Sequence, residues 1–242
     1  MSLTGGIVLT ASDIYKNDVI RKHAIGACGQ DKHGDLYRYA KLATTDGVAG
    51  KLHTSLGREA NHQNLALSAA AAKGAYSVAP TVGATAVDAD EYVGGYMCFS
   101  DVSPEGEWYR IVSHGASAGS EAVTFYLERP LLTAATTSSE VALVRNVWNA
   151  PAISQLIAER PAGVCVIDVD VSVAPYTWLK TRGVQPVLMD TTGVTVGLKC
   201  TISDQVDGAA GLYSDVDAEF EIGQAMQTGT AGEFNPVYLT ID

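Results

Sequence analysis

The stretch from Pro175 to Asp242 constrains the fold more than any other part of the chain. Within it, Asp215, Asp217, Glu219 and Glu221 alternate with Val216, Ala218, Phe220 and Ile222. Successive side chains of a strand point to opposite faces, so this period of two describes a strand with one wet face and one buried face. Phe220 falls on the buried face in this reading. A charge placed there is expected to unfold the C-terminal half, whereas Glu219→Lys is expected to be tolerated. Turn signals such as Gly193 to Gly197 and Asp207-Gly208 divide the block into short pieces. The pattern is that of a small β-barrel or sandwich and carries no reaction centre.

The same grammar runs through the rest of the chain. LYRYAKL (Leu36 to Leu42) alternates and is closed by the turn signal Thr45-Asp46-Gly47, after which VAGKLHT reads as the returning strand. GGYMCFSD, a turn at Ser103-Pro104-Glu105-Gly106 and EWYRIVSH form a hairpin. EAVTFYLERPLL reads as a strand ended by Pro130, and GVCVIDVDVSVA alternates again. Gly57 to Gly74 reads as strand or loop with at most one helical turn, because the alanine run Ala69 to Ala72 favours helix while LALSA suits a strand. VDADEY is read as one helical turn. Residues 1–33 fit two readings: a short helix over Ile14 to His23 capped by Ser12 and Asp13, or an extended arm lying on a neighbouring subunit.

The expected class is mainly β, with antiparallel barrel or sandwich subdomains and little helix. The expected organisation is an N-terminal arm (1–33), a β-rich domain (34–149), a proline-bearing connection (150–161) and a C-terminal β domain (162–242). Tyr37-Arg38-Tyr39-Ala40-Lys41 and Tyr176-Thr177-Trp178-Leu179-Lys180 share a Tyr-x-aromatic-x-Lys pattern, which either a duplication or ordinary turn grammar would produce.

Composition bounds the partners. A chain of 242 residues with 47% hydrophobic content can bury a substantial core, and 24 glycines with only 18% charged residues suit short strands joined by turns. The net charge of −11 argues against nucleic acid, whose phosphates need Lys and Arg, and against an anionic membrane surface. It favours solubility or a basic protein partner. The start lacks a signal-peptide pattern, and no apolar run reaches the ~18–20 residues of a spanning helix. Synthesis in the cytoplasm is the expectation. Cys28, Cys98, Cys165 and Cys200 form no C-x-x-C pair and read as small buried hydrophobes, although spacing leaves pairing between distant strands open.

No residue set announces catalysis, a cofactor or a metal. Gly115-Ala116-Ser117-Ala118-Gly119 fits G-x-S-x-G, but a nucleophile elbow needs a helix after it and the next residues are strand-like. Gly47 to Lys51 lacks the spacing and the Ser or Thr of a phosphate loop. His53, Glu59 and His62 fit no metal spacing and read as a solvated loop. Asp204 to Gly208 lacks the later ligands of a calcium loop and reads as an Asp-Gly turn. Asp168, Asp170 or the Asp215 to Glu221 ladder are the acids that a carbohydrate-active β-sandwich enzyme would use.

The runs DLYRYAKLATTDGVAGKL, DEYVGGYMCFSDVSPEGEWYRIVSH and APYTWLKTRGVQPVLMDTTGVTVGLKC, with the ending EIGQAMQTGTAGEFNPVYLTID, resemble virion structural proteins of tailed bacteriophages of the capsid decoration, or cement, kind. The resemblance spans roughly residues 34–242 and lies in strand-and-turn patterns without catalytic residues. It implies a non-enzymatic protein on the capsid exterior, homotrimeric and bound to the major capsid protein. Another virion part, such as a head fibre, tail-tube or adhesion subunit, is the alternative.

Overall fold

The computed structural model describes residues 6–42, 46–154, 160–190, 194–213 and 219–242. The fold is mainly β. In chain order, β1 (Ile7–Leu9), β2 (Cys28–Asp31), β3 (Leu36–Lys41) and β4 (Leu52–Thr54) come first, with a one-turn helix α1 (Ala11–Ile14) after β1. Next are β5 (Leu65–Ala66), β6 (Ser77–Val78), β7 (Tyr96–Asp101), β8 (Trp108–His114), β9 (Phe125–Leu127) and β10 (Glu140–Val144). The chain ends with β11 (Ala152–Ile153), β12 (Pro161–Cys165), β13 (Tyr176–Leu188), β14 (Lys199–Ile202), β15 (Ala210–Leu212), β16 (Gly223–Ala225) and β17 (Phe234–Thr240). Among the described residues no helix is long and apolar enough to cross a membrane.

The chain divides differently from the expected order of arm, domain, connection and domain. One compact unit joins residues 1–56 to 147–242, and the other is the intervening 57–146. The second unit is therefore an insertion into the first. Alternation reports which face of a strand is buried but not which distant strand it pairs with, so the discontinuity left no local mark.

Unit 1 is an 11-stranded sheet, curled, whose main path runs β1-β2-β3-β13-β17-β16-β14-β15. The 13-residue β13 is its spine. Residues Thr177 to Thr181 are buried on both faces, and from Arg182 onward exposed and buried positions alternate through Val187. The change follows the neighbours: the first half lies between β3 and β12, and the second half pairs with β17. The two Tyr-x-aromatic-x-Lys segments turn out to be antiparallel partners, with Tyr37 opposite Lys180, Tyr39 opposite Trp178 and Lys41 opposite Tyr176.

Several local expectations change. β4 pairs with β11 and β12, so it does not return beside β3. Residues 6–31 form no free arm: β1 pairs in parallel with β2, and β2 pairs with β3. The helix there is shorter and earlier than expected, with Thr10 at its N-cap position and the Asp13 carboxylate accepting from the Thr10 amide and hydroxyl. Gly29 is required by packing, since a Cβ would sit 2.5 Å from Leu9 Cδ1 and 2.9 Å from the Trp178 ring. The 150–161 segment contributes β11 and the start of β12 to the sheet. Of the acidic ladder, Asp215 and Asp217 lie outside the described residues. Its end forms no strand before β16, and Phe220 is 41% exposed while Ile222 is fully buried.

Unit 2 is a six-stranded sheet ordered β5-β10-β7-β8-β9-β6. The expected hairpin is present as β7 and β8. Alternation sets its core: Met97 and Phe99, Tyr109 and Ile111, Phe125 and Leu127, and Val141 and Leu143 all point inward. Each such side chain contributes about 1.5–3 kcal/mol by leaving water. The alanine run forms no helix, the single helical turn of this region is a 3-10 turn at Ala60–His62, and VDADEY passes through hydrogen-bonded turns.

Candidate functional site

The closest approach to a catalytic pair lies in unit 1. Register places Gly163 of β12 opposite His53 of β4, which brings Cys165 Sγ to 3.8 Å from His53 Nε2. His53 Nδ1 lies 3.2 Å from the Lys51 carbonyl, which can only accept, so Nδ1 carries the proton and Nε2 faces the thiol as acceptor. Both side chains are fully buried. Burial lowers the His53 pKa to about 4 and raises the Cys165 thiol to about 12. A cysteine nucleophile is a thiolate beside an imidazolium in reach of solvent. This pair is two neutral groups in a core. His53 had been expected in a solvated loop, and only the pairing of β4 with β12 reveals its burial.

Unit 2 carries a second histidine cluster, also buried rather than solvated. His62 Nε2 donates to the Thr85 carbonyl at 3.2 Å, and its Nδ1 lies 2.5 Å from the Tyr92 hydroxyl. The Tyr92 amide donates to His114 Nε2 at 2.9 Å, while His114 Nδ1 donates to the Gly115 carbonyl. Burial depresses the His114 pKa and raises that of Tyr92. Glu59 caps the 3-10 turn by accepting from Asn61. Ser117 sits between β8 and β9 with its hydroxyl 3.2 Å from Glu121, and its loop leads into strand β9.

Among the described residues, Asp46, Asp168 and Asp170 hold turns and Glu221 an ion pair. Asp168 accepts from the Ala49 amide and Asp46 from the Val171 amide, both at 2.9 Å, on either side of the Gly47–Val169 bridge. Asp170 accepts from the amide and hydroxyl of Ser172, which lowers its pKa. Glu221 is ion-paired with Lys199 at 2.7 Å. In the Asp204 to Gly208 turn the amides of Gln205 and Val206 donate to Ser203 Oγ. Among the described residues no three His, Cys, Asp or Glu side chains converge to hold a metal ion.

What each unit leaves for a partner is surface. On unit 2, Trp108 and Tyr126 are about half exposed on the outer face of the sheet. Tyr96 meets Trp108 edge-on at 5.3 Å, and Arg110 and Arg129 lie over the Tyr96 and Trp108 rings. On unit 1, Tyr15, Val19, Ile20 and Val173 are 60–76% exposed. Large exposed apolar side chains gathered in one place mark interaction surfaces.

No family model, no curated protein and no solved structure matches this chain.

Proposed function

We propose that the protein is a non-enzymatic virion structural protein of a tailed phage, a capsid decoration protein that binds the major capsid protein as a homo-oligomer, with the trimer as the implied form. The observation that carries the reading is the way polar chemistry is used. Among the described residues His53, His62, His114, Cys165, Asp168 and Asp170 are occupied with core contacts and turns, while large apolar side chains remain outside on a β framework. Weak apolar and polar contacts, repeated by symmetry, suit a protein that reinforces a shell. The strand-and-turn resemblance supplies the particular assignment.

The aromatic and arginine face of unit 2 favours a second reading, an adhesion or head-fibre subunit, because flat aromatic groups beside arginines suit external partners. Quantitative mass spectrometry of purified virions, with a particle reconstruction, tests both. A fixed stoichiometric ratio to the major capsid protein and density over the head support decoration. A few copies at a fibre or tail support the second reading, and absence from particles overturns both.

A further inference from the structure

Near the N-terminus of unit 1, an irregular loop carries Tyr15, Val19 and Ile20 into solvent at 63%, 66% and 76% exposure. It is held in place. The Asp18 amide donates to the Tyr176 carbonyl at 2.8 Å, and the Tyr176 amide donates back to Asp18 at 3.2 Å. The Tyr39 hydroxyl donates to the Asp18 carboxylate and accepts from the Lys22 amide. Lys22 is ion-paired with Asp18 at 2.7 Å. Apolar side chains on a loop fixed at its middle need little further ordering when a partner covers them.

Charge says what the partner is. Lys16, Arg21 and Lys22 stand on this loop against the single acid Asp18, which both lysines reach, so the loop keeps a positive surplus on a chain whose net charge is −11. Directly beside it, Asn17 Nδ2 donates to the Asp168 carbonyl at 3.1 Å, joining the loop to the turn that bears Asp168, Asp170 and the 60%-exposed Val173. The Val171 amide of the same turn donates to the Asp46 carboxylate. One face thus holds a cationic lobe and an anionic lobe side by side, with apolar groups on both. In such an arrangement the cationic lobe of one copy fits the anionic lobe of the next, cation to acid and Ile20 to Val173, a head-to-tail contact that a closed ring repeats.

We propose that this face is an interface between copies of this chain. It deepens the homo-oligomer part of the proposed function by naming the surface. The test is made in solution on the protein alone, so its failure would leave the virion copy-number test standing.

Sedimentation velocity of the full chain at low and high salt, compared with Val19→Asp/Ile20→Asp, Lys16→Glu/Arg21→Glu and the exposed control Val196→Asp, is the experiment, with circular dichroism confirming folding. The expected result is an oligomer that weakens with salt. The apolar and the charge-reversal variants should dissociate at least tenfold more readily, and the control should assemble as the parent does. A monomeric parent, or folded variants that assemble as well as the parent, would overturn the proposal. If the double aspartate variant does not fold, the charge-reversal variant decides alone.

Discussion

Tyr39 and Trp178 stand directly opposite each other on β3 and β13, with ring centroids 5.1 Å apart in an edge-on arrangement. Both are almost wholly buried, and Leu9 closes over Trp178 from β1 at Gly29. This aromatic pair ties the N-terminal strands to the spine strand. Trp178→Ala should cost about 3–5 kcal/mol, as large buried aromatic truncations do. Urea unfolding measures it, and a loss under 1 kcal/mol would show that the N-terminal strands are not part of the core.

Gly183 has φ +104, and a Cβ there would lie 2.0 Å from Asp35 Oδ1. Asp35 is the carboxylate that neutralises the nearly buried Lys180, at 2.5 Å. Gly183→Ala therefore combines backbone strain with displacement of that carboxylate, and should destabilise by about 2–4 kcal/mol. Gly197→Ala, at φ +85 with open space around it, should cost about 1 kcal/mol from strain alone. Equal costs at the two sites would refute the role assigned to Asp35.

Ile222 is fully buried while Phe220 is 41% exposed, the reverse of what a regular strand through Tyr213 to Ile222 predicts for Phe220. Ile222→Asp should therefore cost more than about 3 kcal/mol, and Phe220→Asp should stay within about 1 kcal/mol of the parent. Thermal melting of the two variants decides between the regular strand and the observed backbone.

In the folded protein burial holds His53 at about 4 and depresses His114 in the same direction. The unfolded chain titrates these groups near 6.5, so between about 6.5 and 4 the unfolded state binds protons that the folded state refuses. Stability therefore rises with pH across that window: it is full above about 6.5 and is lost on acidification. For His53 alone the loss approaches about 3 kcal/mol. At His114 a second proton would also set a donor against the Tyr92 amide. Denaturant unfolding across the window should steepen with acid, and His53→Leu should flatten the slope. An unchanged slope would remove His53 from the account.

Cys165, buried against His53, should resist thiol reagents in the native state and react fully once unfolded. Residue-resolved labelling by mass spectrometry checks this. Rapid native labelling of Cys165 would mean that β4 and β12 part readily.

Much of the secondary structure was legible because alternation is a local record of burial. The Leu36 to Lys41 strand and the inward set Met97, Phe99, Tyr109 and Ile111 accord with period two, and the β7–β8 hairpin with the turn signal at Ser103 to Gly106. Where alternation was misread, at Phe220, the backbone is irregular and the period has no face to report. The chemistry of the candidate sites was less legible. His53 and Cys165 lie 112 positions apart and meet only because β4 pairs with β12.

The sequence by itself determined that this chain is a β protein of short strands, with most core positions marked by their alternation and an acidic surplus spread over its length. Only the tertiary structure decided that residues 57–146 interrupt the other unit, that the two Tyr-x-aromatic-x-Lys segments are partners, and that the cationic loop at Lys16 to Lys22 stands beside the Asp168 turn. The physical reason is that strand pairing is satisfied by any backbone ladder. Which ladder forms is set by the packing of side chains far apart in the chain.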